Sequence, residues 1–106
     1  FDQHFRQRDR LGRLIYAVSS HPGVFGVGID EDTAAVVEDD HRLTVVGSGA
    51  VTVVDGLQIG ETDIAEIEHG GAVAVSNLTV HVLTKGSVYD GRTRAAALPQ
   101  TKLLVD

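Results

Sequence analysis

Leu11, Leu14, Ile15 and Val18 recur three and four positions apart. That spacing predicts one amphipathic helix from Arg8 to His21, ended by Pro22-Gly23, with arginines on its polar face. After it the apolar pattern shortens to β-branched runs. Val24 to Ile29 and Thr33 to Val37 read as two strands joined across Asp30-Glu31-Asp32. Leu43 to Val46 and Val51 to Val54 repeat the arrangement around Gly47-Ser48-Gly49, which reads as a hairpin turn. Residues 56–71 are mixed, with a strand expected over Leu57 to Ile59 followed by a loop or short helical turn. The stretch AVAVSNLTVHVL (72–83) reads as one long strand in which Leu78, Val80 and Val82 alternate with Thr79 and His81, and Gly86 opens a polar tail.

The order, one helix followed mostly by strands, places the chain in the α/β class without the regular alternation of a complete doubly wound domain. Neither internal repeats nor low-complexity segments interrupt it. A charged, functional-looking cluster on the first residues is unusual, because chain ends fray. Phe1 is therefore expected to lie in the middle of a strand, with the native chain continuing upstream.

At 106 residues and 42% apolar content the chain fits one domain with a modest core. It has no apolar run of membrane-span length. The absence of cysteine removes disulfides and thiolate metal sites and fits a reducing cytoplasm. The formal net charge of -6 conceals an asymmetry. Residues 1–22 carry four arginines against Asp2 and Asp9, whereas the remainder carries five basic and thirteen acidic side chains. A nucleic-acid binder needs a broad basic surface, which this acidic remainder denies. A small or locally docked anion suits the cluster better.

Arg10 and Arg13 share a helical face, and Arg6 and Arg8 lie on the approach to it, so several guanidinium groups can converge beside His4. Forked donors grip a carboxylate bidentately; the alternative is a solvated, salt-bridging helix face. His4 and Glu31 could supply two thirds of a catalytic triad, in which a carboxylate orients an imidazole that takes the nucleophile's proton. Each alone is equally consistent with surface chemistry. The serines do not complete the set: Ser48 sits between two glycines but precedes a strand, where a nucleophile elbow precedes a helix. Ser19, Ser20, Ser76 and Ser87 fall at element ends or turns. The histidines at 4, 21, 41, 69 and 81 show no short metal-ligand spacing, and Gly26-x-Gly28 runs into acidic residues, so neither a metal nor a cofactor is expected.

The segments DQHFRQRDRLGRLIYAV, GVGIDEDTAAVVE, VVGSGAVTVVDG and LTVHVLTKGSVYDGRTR together resemble the C-terminal half of the cyanophycinases, serine exopeptidases related to the aspartyl dipeptidases. The resemblance covers nearly the whole chain. It implies the C-terminal part of a three-layer α/β/α sandwich, with residues 1–106 forming one portion of a single peptidase domain. It further implies hydrolysis of cyanophycin, multi-L-arginyl-poly-L-aspartate, to β-Asp-Arg dipeptides, by a cytoplasmic homodimer that engages neither nucleic acid nor membrane. By the same resemblance His4 is the general base, Glu31 its orienting acid, and Asp2, Gln3, Arg8, Arg10 and Arg13 line the substrate pocket. The family's nucleophilic serine lies in a Ser-Ala-Gly elbow upstream of the histidine box, a motif these residues lack. The missing N-terminal half is then a required partner, and the chain alone is expected to be inactive. A related aspartyl dipeptidase and a non-catalytic module for acidic peptides are the alternative readings.

Overall fold

The computed structural model describes residues 2–3, 10–21, 23–63 and 74–99. Strand β1 (Asp2–Gln3) is followed by helix α1 (Arg10–Ser20), then β2 (Phe25–Ile29), β3 (Thr33–Glu38), β4 (Arg42–Gly47), β5 (Ala50–Asp55), β6 (Thr79–Thr84), β7 (Val88–Asp90) and β8 (Ala95–Ala97). One sheet has the order β1-β2-β5-β6 and the other β3-β4-β7-β8. The class is mixed α/β, one helix and then antiparallel strands, as the sequence pattern leads one to expect.

Strands β2 to β5 form one long ribbon bent over on itself. Pairing runs from Phe25↔Asp55 to Ile29↔Val51 in the first sheet and resumes at Thr33↔Gly47, closing at Glu38↔Arg42 in the second. Residues 30–32 on one strand face 48–50 on the other across the bend, so the register continues without slippage. Asp30-Glu31-Asp32 and Gly47-Ser48-Gly49 are therefore corners between sheets, and the hairpin turn expected at 47–49 lies instead at residues 39–41, where Asp39 and Asp40 adopt φ of 53° and 62°. Strand β6 follows the ribbon along β5, and β7 crosses to pair with β4.

Strand alternation explains the layering. Val27, Ile29, Val51, Val53 and Leu83 point from the first sheet onto Leu43, Val45 and Tyr89 of the second, forming the larger core. The opposite face of the first sheet receives α1, whose Leu14 and Val18, one turn apart, pack on Val54 with Ile15 and Leu78 alongside. Gly26 makes that approach possible: a Cβ there would run into Leu14 Cδ1 and Cγ. Each buried Val or Leu contributes roughly 1.5–3 kcal/mol relative to exposure.

Three further expectations fail. Leu57 to Ile59 is a turn, with Leu57 N–H bonded to Asp55 Oδ1 at 2.9 Å. The long strand expected over 72–83 is interrupted: Val75 makes an isolated bridge to Thr62, Asn77 adopts φ of 60°, and β6 starts only at Thr79. The polar tail after Gly86 is ordered as β7 and β8, because Tyr89 faces the core and is fully buried.

The turn joining β7 to β8 ties the two sheets together. Arg94 Nη1 donates to Asp55 Oδ1 at 2.7 Å, Nη2 donates to the Gly23 carbonyl at 2.8 Å, and the guanidinium lies 5.2 Å from the Phe25 ring centroid. The Tyr89 hydroxyl donates to the other Asp55 oxygen at 3.4 Å. Burial, reinforced by the Asp55 carboxylate, pushes the Tyr89 phenol up to about 12. Because the folded form holds this proton more tightly than an unfolded chain, the stability it contributes is complete below pH ~10 and is lost as pH rises towards ~12. Alkaline unfolding followed by circular dichroism is expected to show that loss in the parent and a smaller one in Tyr89→Phe.

Candidate functional site

Strand β1 lies parallel to β2, with Asp2 opposite Gly28 and Gln3 opposite Ile29. Parallel neighbours require a crossover connection, and α1 supplies it. Its C-terminal end is tied to the start of β2 by the bond from Val24 N–H to the His21 carbonyl, 3.1 Å. Eleven helical residues and five strand residues both span roughly 16 Å. The Arg10 end of α1 therefore reaches back towards the edge at which β1 and β2 finish. Ligands of open α/β sheets characteristically bind outside such carboxyl ends.

Two described segments approach this edge. His4, Arg6 and Arg8, between Gln3 and Arg10 in the sequence, lie outside the described residues. The first turn of α1 brings Arg10 and, one turn on, the exposed Arg13. The corner after Ile29 brings Asp30, Glu31 and Asp32. Asp2 and Gln3 lie beside Gly28 and Ile29, Glu31 follows Ile29 in the corner, and Arg10 opens α1 with Arg13 one turn on. The side-chain geometry of His4 and Arg8 is not among the described residues.

The corner itself is built in detail. Asp30 N–H donates to the Ala50 carbonyl at 3.1 Å, and Ala50 N–H returns a bond to Asp30 Oδ2 at 3.1 Å. Thr33 Oγ1 donates to the Glu31 carbonyl at 3.0 Å and accepts from Gly49 N–H at 2.9 Å. Ser48 N–H donates to the Asp32 carbonyl at 3.0 Å. Gly47, at φ of 106°, packs directly against Asp32 O, where any Cβ would collide. Ser48 is thus part of a sheet corner and lacks the strand-to-helix setting of a nucleophile elbow. Asp30 is buried at 8% exposure, whereas Glu31 and Asp32 beside it are exposed.

The sequence pattern puts Asp30 in an acidic turn, where it is a fallback for the orienting acid, and Thr33 at the start of a strand. Their role in closing the corner depends on Gly49 and Ala50, sixteen to twenty positions away, and no local pattern announces that pairing. Among the described residues no three His, Cys, Asp or Glu side chains gather as a metal site. Among them, too, no helix is long and apolar enough to cross a membrane.

No family model matches the chain. Curated proteins do. It is 47% identical over 92 residues to proteins named cyanophycinase from Synechococcus elongatus and Thermosynechococcus vestitus, covering 87% of this chain and 29% of each relative. A cyanophycinase from Geminocystis herdmanii is 42% identical over 92 residues, again 87% of this chain and 34% of that protein. The chain spans about a third of the length of the curated relatives it matches.

Proposed function

Starting from a chain that is cyanophycinase-like over most of its length, we propose that these residues form the base-and-carboxylate side of a serine-type hydrolase site cleaving cyanophycin to β-Asp-Arg dipeptides. The observation that supports this most is the parallel register of β1 and β2. It sets Gln3, which precedes His4 in the sequence, beside Ile29, which precedes the corner carrying Glu31.

In this reading His4 takes the proton of a serine hydroxyl as the oxygen attacks the scissile carbonyl, and Glu31 orients the imidazole and stabilises the imidazolium. The proton then passes to the leaving amine nitrogen. Water, deprotonated by His4 in turn, hydrolyses the resulting ester. The serine comes from outside these 106 residues. Arg8, Arg10 and Arg13, with Asp2 and Gln3, hold the free carboxylates and polar groups of the substrate, and the positive end of α1 adds to the attraction for anions.

The arginines provide the test. In the protein containing these residues, Arg8→Ala or Arg10→Ala removes a forked donor and leaves a substrate carboxylate underpaired, a loss of about 2–4 kcal/mol in binding. Arg6→Ala, outside the proposed pocket, should change little. Steady-state constants on a β-aspartyl-arginine oligomer measure all three. Equal small losses at Arg6, Arg8 and Arg10 would reduce the cluster to a solvated helix face.

A further inference from the structure

Within a regular antiparallel ladder, residues 30 and 50 would exchange two backbone hydrogen bonds. Only the first is conventional here, from Asp30 N–H to the Ala50 carbonyl. The second runs from Ala50 N–H to Asp30 Oδ2 at 3.1 Å, so the side chain stands in for its own carbonyl. The main chain can then leave the sheet at Glu31 without stranding the part-buried Ala50 N–H. Thr33 repeats the device on the far side of the corner, its hydroxyl bridging the Glu31 carbonyl and Gly49 N–H. Glu31 is therefore bracketed by two side chains that fix its backbone, and it is an exposed residue at the edge where β1 and β2 end. A solvated acidic turn does not require an aspartate that is only 8% exposed as a residue.

We propose that Asp30 is a positioning residue for Glu31: its carboxylate completes the sheet corner and so sets where Glu31 stands at the edge where β1 and β2 end. The proposal rests on the reading of Glu31 as the acid that orients the general base. Asp30 touches neither substrate nor the reacting atoms in this account, and Thr33 acts in the same way through the second half of the corner.

The experiment compares Asp30→Ala, Asp30→Asn, Thr33→Val, Glu31→Gln and the double variant Asp30→Ala/Glu31→Gln in the protein containing these residues, with kcat and KM measured on a β-aspartyl-arginine oligomer. A displacement of about 1 Å at a catalytic group costs on the order of 100-fold, so Asp30→Ala is expected to lower kcat by roughly 10- to 100-fold and to leave KM within about twofold. Asp30→Asn keeps an oxygen acceptor in the same place and is expected to recover most of the rate, which a lost charge at the active site would not permit. The double variant should be no slower than Glu31→Gln alone, because both changes remove the same contribution. Should Asp30→Ala fail to fold, Thr33→Val must still lower kcat with KM unchanged. Wild-type kcat in Asp30→Ala or Thr33→Val beside an impaired Glu31→Gln overturns the proposal and leaves the reading of Glu31 standing. Multiplying losses in the double variant overturn it as well. An inactive Asp30→Asn beside a fully active Glu31→Gln overturns both, making Asp30 itself the orienting acid.

Discussion

Replacing Glu31 with glutamine is expected to lower the maximal rate on cyanophycin by a factor on the order of hundreds to ten thousand while leaving substrate affinity nearly unchanged. The reason is electrostatic and tautomeric. A carboxylate facing the imidazole favours the tautomer whose other nitrogen can accept the nucleophile's proton, and it stabilises the imidazolium that forms. A neutral amide can present its N–H instead and hold the wrong tautomer. The corner that carries Glu31 keeps the hydrogen bonds made by Asp30, Thr33, Ser48, Gly49 and Ala50. An unchanged rate would remove Glu31 from the mechanism and leave Asp30 or Asp32 as the candidate acid.

Arg94→Met is expected to be the most destabilising single change. Asp55 is 5% exposed in its side chain and Arg94 18%, so their 2.7 Å pair is largely withdrawn from water. Methionine keeps much of the side-chain volume but leaves the Asp55 carboxylate with only the Leu57 N–H and the Tyr89 hydroxyl among its bonds to this turn and core. Breaking a buried pair from one side costs about 3–5 kcal/mol. The Gly23 carbonyl and the face of Phe25 lose their cation at the same time. Adding Asp55→Asn should recover a large part of the loss, since the orphaned charge, more than the missing contact, carries the penalty. Denaturant unfolding of the two single variants and the double variant measures this. A loss under about 1 kcal/mol for Arg94→Met would mean the pair behaves as an exposed surface bridge.

Arg94 also illustrates what the sequence conceals. The α1 helix was legible because Leu14, Ile15 and Val18 face one sheet and the period of 3.6 residues survives in the sequence. The runs around Val27, Val36, Val45 and Val53 were legible because β-branched residues recur in short segments bounded by Gly and Asp. Their destination was not. Gly-Ser-Gly and Asp-Glu-Asp serve equally for a hairpin reversal or a corner between sheets, and only the pairing of Thr33 with Gly47 beside that of Ile29 with Val51 distinguishes the two. Strand β8 is three alanines, which carry neither alternation nor strand preference, and it forms because β7 offers Tyr89 to the core and an edge to pair with. The break at Ser76-Asn77 has a local signal in asparagine's tolerance of positive φ, but an apolar run on both sides masks it. On the candidate site, the histidine box and the arginines stand out in the sequence through the family resemblance. The low exposure of Asp30 does not, because a buried aspartate and a solvated one look alike in a row of three acidic residues.

The central claim, that His4 and the Glu31 corner form the proton-handling side of a cyanophycin-hydrolysing site, is tested most directly by mass-spectrometric detection of soluble dipeptide released from cyanophycin. The protein containing these residues should release β-Asp-Arg, and His4→Ala, folded to the same extent, should release none above the uncatalysed background. Undiminished dipeptide release by His4→Ala would contradict the account.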